Sequence, residues 1–145
     1  MASAIGGTLK HVLFLSRHFR SNDLRCRAIV VLLDLGLATT MDGFDYLKNA
    51  IVLRYEGPAR MLSKEIYPKV GSQYFPEVND DQVEQAIRSV IKEAWRNRDE
   101  KVWGYYFSKD QNGKIKCPTN AEFITRIVYF LVLWQGCSQE VANGK

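Results

Sequence analysis

A chain of 145 residues makes one domain, large enough for a real core. With 46% hydrophobic and 25% charged residues, the composition is that of an ordinary globular protein and excludes a disordered or fibrous chain. A formal charge of +4 and a pI of about 9.0 permit a nucleic-acid partner without demanding one.

Residues 1–7 are small and Gly-rich, and are expected to be disordered. Thr8 to Phe19 reads as an amphipathic helix, with Leu9, Val12, Leu13, Leu15 and Phe19 as its apolar set. The opening MASAIGGTLKHVLFLSR has too short an apolar run for a secretory signal and no cleavage signature. Leu24 to Leu35 is a second helix, with Gly36 near its end. Asp42 or Thr40 caps a third, from about Phe44 to Tyr55. Gly57-Pro58 breaks the chain, and Ala59 to Ile66 forms a fourth.

Tyr67 to Trp95 is the most informative stretch. It reads as a short helix, a tight polar turn and a longer amphipathic helix, the layout of a helix-turn-helix spanning residues 67–97. Pro68 suits the first position of the short helix, which offers Val70, Tyr74 and Phe75 for packing; Gly71 allows close approach and Pro76 ends it. In the second helix Val83, Ala86, Ile87, Val90, Ile91, Ala94 and Trp95 recur at three- and four-residue steps and form one buried stripe. Arg88, Lys92 and Arg96 line up on the opposite face. Asn79 or Asp80 caps the helix start. The plain reading competes with the functional one, because a charged outer face belongs to the surface helices of any small helical protein.

Asn97 to Lys116 is charged and irregular. Asn112-Gly113 signals a turn, and Tyr105, Tyr106 and Phe107 could form one arm of a small hairpin. Thr119 with Glu122 makes a capping box for a last helix, Asn120 to about Trp134, with Gly136 as its C-terminal cap and residues 137–145 as a loose tail. The expected fold is therefore all-α, one compact domain over residues 8–136 with about six to seven helices.

Four stretches together resemble a known family. They are GFDYLKNAI (Gly43 to Ile51), KEIYPKV (Lys64 to Val70), VEQAIRSVIKEAW (Val83 to Trp95) and CPTNAEFI (Cys117 to Ile124). Their order and spacing are similar to the C-terminal DNA-binding domain of the stage-zero sporulation response regulator A of endospore-forming Firmicutes. The resemblance covers roughly residues 28 to 134. It implies a compact helical domain that binds double-stranded DNA as tandem copies, with the recognition helix in the major groove. The family domain follows a phosphorylatable receiver; no room for one remains here, which implies a stand-alone effector without phosphorylation input. Glu84 and Arg88 match the family pattern. Gln82, Gln85 and Ser89 replace its Arg, Arg and His. Arginine reads guanine with a bidentate pair and glutamine suits adenine, so a different base preference is expected.

On this reading Gln82, Glu84, Gln85, Arg88 and Ser89 face base edges, while Lys69, Lys92 and Arg96 contact phosphates. The function is transcription regulation in the cytoplasm, at the nucleoid. An alternative is a protein-interaction module of the same fold that has lost DNA binding. It is favoured by the acidic turn of Glu77, Asp80 and Asp81, and by the balance of eight Lys/Arg against eight Asp/Glu from Pro58 to Val102.

Ile124, Ile127, Val128, Phe130, Leu131, Val132, Leu133 and Trp134 leave the last helix almost no polar face. Either the first helix covers it or a second subunit does, in a homodimer with Phe130 and Trp134 near the interface. Eight apolar residues from Ile127 to Trp134 are too few to span a membrane.

No phosphate loop, nucleophile motif or carboxylate pair points to catalysis, and no enzyme activity, cofactor or small-molecule substrate is expected. His11 and His18 lie seven apart without acidic or thiol ligands at useful spacing, so no metal site is expected. Cys26, Cys117 and Cys137 are scattered and odd in number, as reduced thiols of a cytosolic protein would be.

Overall fold

The computed structural model describes the backbone of residues 2–144 and the side chains of residues 6–138. The described residues form seven α-helices and no strand: α1 (Ala2–His18), α2 (Leu24–Asp34), α3 (Asp42–Glu56), α4 (Tyr67–Ser72), α5 (Asp80–Arg96), α6 (Glu100–Tyr106) and α7 (Asn120–Gly144). A π-helical turn, Leu62–Ile66, runs directly into α4 where a full fourth helix was expected.

Helix α7 is the axis of the molecule. Helices α1, α2, α3 and α5 all pack against it. Phe130 and Trp134, expected at a subunit interface, are 1% and 0% exposed within the single chain. Within that chain α1 supplies the cover, placing Val12 and Leu15 in the same core. Each such buried side chain contributes about 1.5–3 kcal/mol relative to exposure. Tyr129 and Val132 face outward, so the helix is not enclosed on every side.

The helix also continues past Gly136 to Gly144, where a cap and a loose tail were expected. A buried arginine holds its second half. Arg27 of α2 donates to Gln135 Oε1 (2.7 Å) and Ser138 Oγ (3.0 Å), with its guanidinium carbon 5.3 Å from the centre of the Trp134 ring. No carboxylate is among its partners in the described residues.

At the other end α1 begins at Ala2, so residues expected to be disordered are helical. A tertiary contact accompanies the change: a Cβ on Gly7 would lie 3.7 Å from the Tyr105 ring. Thr8 Oγ1 donates to the Tyr105 carbonyl (2.8 Å), and His11 Nε2 pairs with Asp34 Oδ2 (2.6 Å). Burial pushes the Asp34 carboxyl up, but hydrogen bonds from His11 and Tyr106 outweigh it and leave it below its ordinary value. His18 Nδ1 bonds the Phe14 carbonyl (2.8 Å), so the two histidines serve separate local contacts.

The expected hairpin arm is α6 instead. Asp99 caps it, accepting from the Lys101 (2.9 Å) and Val102 (3.3 Å) amides. Trp103 and Tyr106 lie three residues apart, so a helix buries both on one side, and Trp103 Nε1 donates to the Leu35 carbonyl (3.0 Å). That joint burial outweighs the strand preference of an aromatic run. The turn at Asn112-Gly113 is present, with Gly113 at a φ of 76°. The capping box of the last helix is present too: Thr119 Oγ1 accepts from the Glu122 amide (3.1 Å) and Glu122 Oε1 from the Thr119 amide (2.9 Å).

Candidate nucleic-acid interface

Helix α5 is bound to the body by one side only. Val83, Ile87, Val90, Ile91 and Ala94 are all buried. Two glycines bring backbone against backbone around it. A Cβ on Gly43 of α3 would lie 2.0 Å from the Ala86 carbonyl oxygen, and one on Gly71 of α4 would lie 1.9 Å from that of Val78. Only glycine permits either contact without displacement. The third helix, expected to be capped by Asp42 or Thr40, has Met41 at its N-cap with no side-chain cap; Asp42 lies in its first turn.

Residues 73–79 join α4 to α5. Tyr74 anchors this loop to α3: its hydroxyl donates to Asp45 and accepts from Asn49 Nδ2 (2.9 Å). Burial and then the Asp45 carboxylate raise the Tyr74 phenol well above its ordinary value, so it stays protonated and donating. Asp45 also pairs with Lys48 (2.7 Å). Phe75, expected to pack, is 104% exposed at the loop tip.

The start of α5 is a full capping box. Asn79 Oδ1 accepts from the Gln82 amide (2.9 Å), and Gln82 Oε1 accepts from the Asn79 amide (3.3 Å). Gln82 thus holds the helix end with its oxygen and leaves only its Nε2 for another partner. Gln85, Ser89, Lys92 and Arg96 follow at three- and four-residue steps, all exposed.

Of the other expected contacts, Glu84, Arg88 and Lys69 lie off this row. Arg88 stands on its flank, half-buried and paired with Glu84 (3.0 Å). Arg96 pairs with Glu93 (2.8 Å), and Arg98 stacks on Trp95 at 3.5 Å while pairing with Glu100. Lys92 has no ion pair among the described residues. Lys69 is exposed on α4, one turn after Glu65.

Beside the row lies a cleft of about 800 Å³. Arg88 and Lys92 form one wall, Arg60 and Ser63 another, and Thr119 and Asn120 at the start of α7 close it. Asn120 Nδ2 reaches both Tyr67 Oη (3.1 Å) and the Glu84 carbonyl (3.2 Å), tying α7 and α4 to α5. Glu65 holds the approach to Arg60 by accepting the Arg60 (3.0 Å) and Met61 (2.9 Å) amides, which lower its carboxyl. Sequence reasoning missed Arg60, Asn120 and this cleft, because their separation along the chain gives no periodic signal.

The chain matches the family model of the sporulation initiation factor Spo0A C terminal over residues 29–131. It belongs to that family. The Spo0A C-terminal domains are DNA-binding effector domains of transcription regulation in sporulation, and the family is not one of enzymes. No curated protein matches the chain. The Spo0A match takes in α3 to α6 entire and leaves α1 outside it. No helix among the described residues is long and apolar enough to cross a membrane.

Proposed function

We propose that this domain regulates transcription by binding double-stranded DNA at a defined sequence, with the outer face of α5 in the major groove. It would do so in the cytoplasm, at the nucleoid. The row of Gln85, Ser89, Lys92 and Arg96 carries the reading. It is an uninterrupted polar face on a helix whose other side is fixed in the core. Helices α4 and α5 act as the two arms of a helix-turn-helix, with a connecting loop longer than the usual short turn.

Gln85 and Ser89 lie centrally and read base edges. Gln85 favours adenine, since its amide matches that base as donor and acceptor. Gln82 adds a donor from Nε2, its oxygen being held in the cap. Arg88 reaches a base by releasing Glu84, whose part is to hold the guanidinium ready. Lys92, Arg96 and Lys69 neutralise phosphates, joined by Arg60 across the cleft.

Selection of bound sequences from random DNA at low and moderate salt tests this. The expected result is one enriched motif containing adenine, with a log K against log salt slope no steeper than about −4 for four phosphates. No enrichment at low salt, or binding without sequence preference, would overturn the reading.

A further inference from the structure

Two exposed patches of opposite charge remain outside the DNA reading. The first is the outer side of α1. Lys10, Phe14 and Arg17 follow at four- and three-residue steps, all exposed, with Phe19 and Arg20 just beyond the helix end. No acidic residue precedes Asp23. The Phe14 ring is held against His18 at 4.2 Å between centroids. The second patch is the α4–α5 loop, with Phe75 at its tip and Glu77, Asp80 and Asp81 around it. No Lys or Arg occurs from Val70 to Ile87.

None of the patch charges has an ion pair among the described residues. Nor does one chain bring them together: α1 packs on α6 and α7, whereas Tyr74 ties the loop to α3. We propose that they meet between copies, the basic and aromatic stripe of α1 in one copy docking on the acidic, phenylalanine-tipped loop of the next. Arg17 or Arg20 can stack on the Phe75 ring while its charge faces the carboxylates. In this arrangement each pair of copies shares a single α1–loop contact, which leaves one patch free at either end, so the assembly grows head to tail past a dimer.

Sedimentation of the full chain, without DNA, over a concentration series is the test, so the outcome is independent of the DNA reading. At low salt the mean mass should climb past twice 16.6 kDa, and at high salt it should return to that of one copy. Reversing α1 (Arg17→Glu with Arg20→Glu) should give monomers. Reversing the loop (Glu77→Lys with Asp80→Lys) should do the same. An equal mixture of the two variants should associate again, because each contact then regains opposite charges. Phe75→Ser, at a site with no packing to lose, should weaken association and leave the circular dichroism spectrum unchanged. A wild type that stays monomeric at low salt would overturn the proposal. So would a mixture no heavier than its components, or an α1 reversal that acts while the loop reversal does not.

Discussion

Helices α5 and α7 use their apolar residues in opposite ways. α5 concentrates them in one stripe and leaves a whole face to solvent. α7 spreads them around most of its circumference and is covered by α1, α2 and α3 together. The comparison shows what an all-round apolar helix signifies here: a central element of one chain, not a surface awaiting a partner. The single stripe is the feature that leaves a face available. Arg88 and Arg96 on that side are paired along their own helix, so α5 offers hydrogen-bonding groups more than net charge.

The largest effect is expected from Phe130→Glu. A carboxylate buried in that sealed position should cost about 4 kcal/mol or more, read as loss of the folded state in urea. Tyr129→Glu, one residue away but 55% exposed, should change stability by no more than about 0.5 kcal/mol. A folded Phe130→Glu monomer of normal stability would contradict the central placement of α7. Next is Gly43→Ala, whose methyl meets the Ala86 carbonyl. It should destabilise by about 1–3 kcal/mol and displace α5, seen in a urea midpoint and in weaker DNA binding together.

Arg88→Ala separates the two kinds of surface. Loss of one half-exposed pair to Glu84 should cost at most about 0.5 kcal/mol of stability. Loss of a base contact should cost about 1–3 kcal/mol of DNA affinity. Unchanged affinity for the selected site would remove Arg88 from the groove. The smallest effect concerns acid. Asp34 has a folded value below its unfolded one, so its contribution is present above the unfolded value and disappears as pH falls through the folded value. Asp34→Asn should therefore flatten the acid limb of a stability-versus-pH curve below about pH 4. An identical limb in both proteins would show that the α1 contact adds no acid sensitivity.

Much of this contrast is written locally in the chain. The stripe from Val83 to Ala94, the Asn79 cap and the Thr119–Glu122 box follow from spacing within a few residues, and spacing was enough to place them. What spacing misses depends on distant partners. Tyr105 and Tyr106 look like strand residues until Trp103 must share their burial. Gly136 looks like a stop until Arg27 binds residues on both sides of it. Phe75 looks like a packing residue because nothing nearby in sequence says that the loop turns it outward. Arg60 and Asn120 join the site across long separations, and Gln82 is drawn into the cap by a bond that competes with its expected role.

The paired carbonyl contacts at Gly43 and Gly71 limit how such a domain can change its preference. With backbone seated on backbone, α5 has little freedom to tilt or slide when its sequence drifts. Target choice can then evolve almost solely by exchange of outward side chains such as Gln85 and Ser89, on a support that stays in place beneath them.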